Sequence, residues 1–258
     1  MRKPMALANW KMKMTISESL KYLERFQPAV KGLGDAVEIV LCPPYTALYP
    51  VSRRIELPSI KLGAQNVSPG EESAHTGEIS AELLADVGCE WVLVGHWELR
   101  RHFGETDEVV RKKVQLAFEH GLKPHLLIGE PKEARERFQE ILIERLSHIL
   151  TGLEPEDVAR MAITYEPEWS IGMDEAAPVE RVDEACRLIR RWLREEYGDG
   201  IAQSVRIMYG GSVTPENARA LLQPEEIDGV GAGRKGRDPM AFAEIVRIIA
   251  EEKAGSRG

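Results

Sequence analysis

Short apolar runs and charged, helix-period segments alternate from one end of the chain to the other. The runs MALAN (5–9), VEIVLCPP (37–44), IKLGAQN (60–66), WVLVGH (91–96), PHLLIG (124–129), MAITYEP (161–167), VRIMYGG (205–211) and IDGVGAGR (227–234) are each about strand length. Several are apolar at consecutive positions, the condition of a strand covered on both faces, as in a parallel sheet under helices.

Between the runs, residues 17–31, 44–56, 79–88, 105–120, 131–151, 178–196, 215–222 and 238–253 read as helices. In KEARERFQEILIERLSHIL, Phe138, Ile141, Leu142, Leu146 and Ile149 share one stripe with charges opposite. Ser17 with Glu18 nearby, Pro131, Pro178, Thr214-Pro215 and Asp238-Pro239 mark helix starts. Strict alternation requires parallel strands joined by right-handed crossovers. Eight such units in about 250 residues fit an α/β single (β/α)8 barrel, eight parallel strands ringed by helices, although an open doubly wound sheet shares the pattern. No Pro/Ser-rich hinge divides the chain, so residues 1–258 are expected to form one barrel domain with 251–258 a frayed tail.

Composition narrows the chemistry. With 43% hydrophobic and 29% charged residues a sizeable core is available, and a net charge of −8 argues against a nucleic-acid partner, whose phosphates call for clustered Lys and Arg. Cys42, Cys89 and Cys186 are far apart and form no CxxC pair, which predicts reduced thiols in a cytoplasmic protein. MRKPMALANWKMKMT lacks the apolar core and cleavage pattern of a leader, and no run reaches the roughly 18 apolar residues of a membrane span. No HExxH-type spacing suggests a metal. GAGRKG (231–236) fits G-x-G-x-x-G, but no second strand and acidic residue follow, so no dinucleotide or other cofactor is expected.

In a barrel, chemistry gathers where strands end. Here the runs end on Asn9 and Lys11, Gln65-Asn66, His96, Glu166, Gly210-Gly211-Ser212 and Gly233-Arg234. An amine, an imidazole, a carboxylate and two glycine turns would meet on one face. A lone glutamate at a strand end is usually solvated or ion-paired; this company points instead to a working base. The other histidines, His75, His102, His120, His125 and His148, and the tryptophans Trp91 and Trp192 are read as packing or surface residues.

ANWKM, GAQN, TGEIS, VGHWELRRHFGE, YEPEWSIG and YGGSVTPENA resemble, in order and spacing, the motifs of the triosephosphate isomerase family. The resemblance implies Glu166 as the base shuttling a proton between adjacent carbons of a phosphorylated sugar, with His96 as neutral electrophile. It implies Lys11 and Asn9 as oxyanion partners, Glu98 orienting Lys11, and Tyr209 bonding a closed lid. It also implies phosphate contact at Gly172, Ser212, Gly233 and Arg234, and a homodimer in which the loop bearing Thr76 reaches the neighbouring subunit. The chain departs from the family pattern at Trp97, where a serine is usual, at Leu99, in the lid at Glu168 and GMDEAA, and at Arg234. A triose phosphate is the expected substrate. The Gly-Arg pair keeps open a tetrulose-phosphate isomerase of the same mechanism, and Trp97 keeps open an idle phosphometabolite-binding barrel.

Overall fold

The computed structural model describes residues 2–70 and 75–254. Its strands are β1 (Met5–Asn9), β2 (Glu38–Cys42), β3 (Ile60–Ala64), β4 (Trp91–Val94), β5 (Lys123–Ile128), β6 (Ala162–Tyr165), β7 (Arg206–Gly210) and β8 (Gly229–Ala232). Each pairs in parallel with the next, and β8 returns to β1 with Met5 opposite Gly229 and Ala8 opposite Ala232. The sheet is therefore closed, and the open doubly wound alternative is excluded. Met5, Leu7, Val40, Cys42, Trp91, Leu93, Leu127, Ala162 and Met208 fill the barrel, while a larger apolar layer lies between strands and helices. Burial on both faces explains why the strand signal reads as continuous apolar runs. Trp192 packs on this outer layer, and Trp91 lies inside with its indole donating to Glu38 Oε1 at 3.1 Å.

The helices are α1 (Ile16–Val30), α2 (Tyr45–Ser52), α3 (Ala81–Asp86), α4 (Trp97–Phe103), α5 (Asp107–Glu119), α6 (Phe138–Leu150), α7 (Pro155–Val158), α8 (Val179–Ala202), α9 (Pro215–Leu221) and α10 (Pro239–Ile249). Helix α1 is capped by Thr15, not Ser17: Thr15 Oγ1 accepts from the Glu18 amide at 3.3 Å and Glu18 Oε2 from the Thr15 amide at 2.7 Å. This reciprocal box satisfies two helix-start donors, which Ser17 could not do from inside the first turn. The segment expected as one helix from Pro131 begins as a 3-10 stretch, Lys132–Arg137, because KEARER has no apolar face to bury. Helices α4 and α7 were not expected, and α8 runs six residues past the expected 196 through a break at Gly198, φ +81°. Of the expected tail, 251–254 continues α10 as a π turn and 255–258 lies outside the described residues. Among the described residues no helix is long and apolar enough to cross a membrane.

The polar strand ends project from one mouth of the barrel, and their spacing is set by close backbone contact beneath them. A Cβ on Gly129, just past β5, would lie 2.2 Å from the carbonyl oxygen of Glu166. On Gly231, by comparison, its nearest neighbour would be Leu7 Cδ2 at 3.4 Å. Gly129→Ala is expected to cost about 2–3 kcal/mol and Gly231→Ala under about 1 kcal/mol in urea denaturation; equal costs would show that the β5–β6 mouth tolerates a methyl.

Candidate active site

A cavity of about 730 Å³ opens at this mouth, lined among others by Asn9, Lys11, Glu98, Glu166, Gly172, Ser212, Gly233 and Arg234. Glu166 is the first residue beyond β6, and its backbone N–H donates to Ile128 O at 2.7 Å, which holds the strand end in register with β5. Its carboxylate is nearly enclosed. Oε2 has no hydrogen-bond partner among the described residues and faces His96 Nε2 at 3.5 Å, an atom equally buried and unpartnered. Loss of water pushes the Glu166 carboxyl up to about 8; the Lys11 charge opposes this and Glu98 adds to it.

His96 caps α4. Its Nδ1 accepts the Glu98 backbone N–H at 3.2 Å, which assigns the proton to Nε2, on the Glu166 side. Burial, helped by the Lys11 charge, pulls this histidine down to about 3. The ring is therefore neutral at ordinary pH and presents an N–H, not a second base. The 3.5 Å approach of Glu98 Oε2 to Nδ1 is accordingly not an ion pair.

Lys11 is held in a left-handed conformation, φ +54°, costly for a side-chain-bearing residue. Three contacts hold it there: its N–H donates to Asn9 Oδ1 at 2.9 Å, its carbonyl accepts from Gln65 Nε2 at 2.9 Å, and Nζ meets Glu98 Oε1 at 2.9 Å. Gln65 also reaches Cys42 O at 2.9 Å, tying the β1, β2 and β3 ends together. Trp97 lines the cavity with its ring 5.9 Å from Lys11 Nζ, and its indole N–H is buried without a partner among the described residues.

The segment after Glu166 lies across the mouth as a lid. Tyr209 OH accepts from the Ala177 N–H at 2.8 Å and donates to Ser170 Oγ at 3.2 Å. Ser212 Oγ lies 2.9 Å from Ser170 O and 2.7 Å from Met173 O, and the Arg234 guanidinium donates to Met173 O as well. Gly172 turns the lid with φ +73°. Thr76 is exposed, and part of its loop, 71–74, lies outside the described residues.

One lid support was missed in the sequence. Glu130, fully buried just past β5, accepts from Trp169 Nε1 at 2.6 Å and from Tyr165 OH at 3.1 Å, with its carboxyl raised by desolvation. It follows the PHLLIG run as Glu166 follows MAITY, so the same strand-end test would have found it. Arg101 on α4 bridges Glu168 at 2.6 Å and Glu133 at 2.9 Å, while the Arg135 guanidinium covers the Trp169 ring at 3.8 Å. Arg100, its neighbour, braces the β4 end by bonding Gly95 O at 3.0 Å and Asp107 at 2.6 Å. Leu99 lies within α4 beside them. Among the described residues no group of three or more His, Cys, Asp or Glu side chains is disposed to hold a metal ion.

Residues 4–249 match the family model described as triosephosphate isomerase. The chain is 42% identical over 249 residues to the triosephosphate isomerase of Dictyoglomus turgidum, covering 96% of this chain and 100% of that one. It is 42% identical over 250 residues to that of Solibacter usitatus, with 96% and 100% covered. It is also 42% identical over 256 residues to that of Symbiobacterium thermophilum, with 98% and 100% covered. A match of this extent over a closed eight-stranded barrel places the chain in the triosephosphate isomerase family.

Proposed function

We propose that Glu166, His96, Lys11 and Asn9 interconvert dihydroxyacetone phosphate and D-glyceraldehyde 3-phosphate at this mouth. The enzyme is an aldose–ketose isomerase, an intramolecular oxidoreductase. The observation that carries the residue roles is the pair of buried, unpartnered atoms, Glu166 Oε2 and His96 Nε2, facing each other at 3.5 Å. A carboxylate short of water is a strong base, and a neutral N–H is a donor that does not compete with it for the proton.

In this scheme the Glu166 carboxylate takes a proton from the carbon beside the substrate carbonyl. The electron pair moves onto the carbonyl oxygen, where the His96 N–H and the Lys11 ammonium stabilise the negative charge of the enediolate, with the Asn9 side chain alongside. A proton then passes from the hydroxyl oxygen to the former carbonyl oxygen by way of His96 Nε2, and the new carbonyl forms on the carbon that bore the hydroxyl. The protonated Glu166 returns its proton to the neighbouring carbon, which completes the aldose–ketose exchange. Gly172, Ser212 and Gly233 border the region that takes the phosphate, where glycine turns let backbone N–H groups approach an anion. Glu98 orients Lys11 through their 2.9 Å contact.

The relatives favour the triose over a tetrulose, and the guanidinium that kept the tetrulose reading open is engaged by Met173 O. Purified protein is expected to turn over D-glyceraldehyde 3-phosphate much faster than L-erythrulose 1-phosphate, and Glu166→Gln to lose about 10²–10⁴-fold in kcat while still binding phosphate. Wild-type turnover by that variant would remove Glu166 as the base.

The pH dependence follows from the same burial. The working form of Glu166 is the carboxylate, and its proton leaves only near pH 8. In the free enzyme, kcat/KM should therefore level off above about 8 and fall about tenfold per unit below it, with no added limb from His96 above about 3. A rate profile flat from 6 to 9 would contradict the raised carboxyl.

The whole chain is taken as one barrel domain working in the cytoplasm as a homodimer. Exposed Met12, Tyr49 and Leu83, on the connections after β1, β2 and β3, support a self-association face near the Thr76 loop. Light scattering should find two chains per particle; monomers at micromolar concentration would end this proposal.

A further inference from the structure

We infer that Arg234 is the latch of the lid: a positioning residue that keeps the cavity shut during the lifetime of the enediolate, and not a ligand of the substrate phosphate. The inference rests on the isomerase reading above for its consequence, but its geometry stands apart from it. The Met173 carbonyl at the lid tip lies against two groups from different turns, Ser212 Oγ from the β7–α9 turn at 2.7 Å and Arg234 Nη2, which donates to it from the turn after β8. A carbonyl oxygen has two lone pairs, so it accepts from Arg234 whether the single Ser212 hydroxyl proton points to Met173 O or to Ser170 O at 2.9 Å. Arg234 Nη1 also lies 3.8 Å from Asp174 Oδ1, one residue further along the lid.

These contacts span the cavity mouth, with Gly172 and Asp174 on the lid side and Ser212 and Arg234 on the barrel side. They exist only while the lid is down, so they stabilise the closed state and contribute nothing to the open one. The guanidinium is the part suited to this. Its planar fork reaches a carbonyl and a carboxylate at once, which a glycine or a short hydroxyl in that turn could not do. With its side chain about half exposed, the arginine faces the lid's rim and solvent.

Closure matters because the enediolate has a second fate. Its electron pair can expel the phosphate: the carbon–oxygen bond to the phosphate breaks, and inorganic phosphate leaves with the bonding electrons. The enol that remains takes a proton to become methylglyoxal. An enzyme whose lid lifts too early releases phosphate in place of isomer.

The test is Arg234→Ala beside wild type, reading isomer and free phosphate in one assay. A latch predicts that the fraction of turnovers ending in phosphate rises about three- to tenfold, the worth of one partly exposed charge-assisted hydrogen bond. A phosphate ligand predicts instead weaker binding of glycerol 3-phosphate with that fraction unchanged, and this result would overturn the inference. Digestion with a glutamate-specific protease gives a readout independent of turnover: cleavage after Glu175 in the lid should speed up by a similar factor in Arg234→Ala. If wild type isomerises nothing, the functional reading fails while this digestion still decides the latch; equal cleavage rates would sink it.

Discussion

The site depends on a carboxylate kept short of water. Glu166 sits at the end of a buried strand, beneath a lid, with one oxygen unsatisfied and 3.5 Å from the Nε2 of a neutral imidazole. Burying a carboxylate without a partner is unfavourable, and folding stabilises it elsewhere. The closed barrel supplies that stability through backbone pairing all the way round. It also fixes the β5 and β6 ends by the Glu166 N–H to Ile128 O bond. An open sheet could not enclose the mouth in this way, so the fold and the raised carboxyl are one constraint seen at two scales.

Neutral His96 and strained Lys11 follow from it. Were the imidazole charged, it would pair with Glu166 and lower its basicity; burial first, and then the nearby ammonium, keep it neutral, and the Glu98 amide at Nδ1 leaves its proton on Nε2. The ammonium is the one positive charge that must be close, and it is restrained by Glu98, with its backbone forced to φ +54° by bonds to Asn9 and Gln65. Strain of this kind survives only where several contacts over-determine it. Here they come from the ends of β1 and β3 and from the first turn of α4.

Much of this was legible in the sequence because the information was local. Eight two-sided apolar runs gave the barrel, and the residues that end them, Asn9, Lys11, His96 and Glu166, are brought to one mouth by the topology alone. What was not legible lay in pairings across the chain. The engagement of Arg234 by Met173, 61 positions away, has no periodic signature, nor has the bridge from Arg101 to Glu168. The helix starts show the same limit on a smaller scale. Thr15 and Ser17 are both acceptable caps by residue type, and only the reciprocal bond with Glu18 separates them.

Two of the departures from the family pattern, Glu168 and Arg234, act on the lid together with Arg101. Glu168, Arg101 and Arg234 are all charged, and all meet the lid: the first two at its hinge, the last at its tip. The hinge bridge is the more shielded, since Glu168 is only 14% exposed, while Arg234 is about half exposed. Exposed charge contacts are screened by solvent and break readily. The hinge contact is therefore the better shielded of the two and the tip contact the more easily broken. Trp97 lies outside this group: it lines the cavity with its ring 5.9 Å from Lys11 Nζ, so it shapes the pocket beside the ammonium, not the lid's ion pairs.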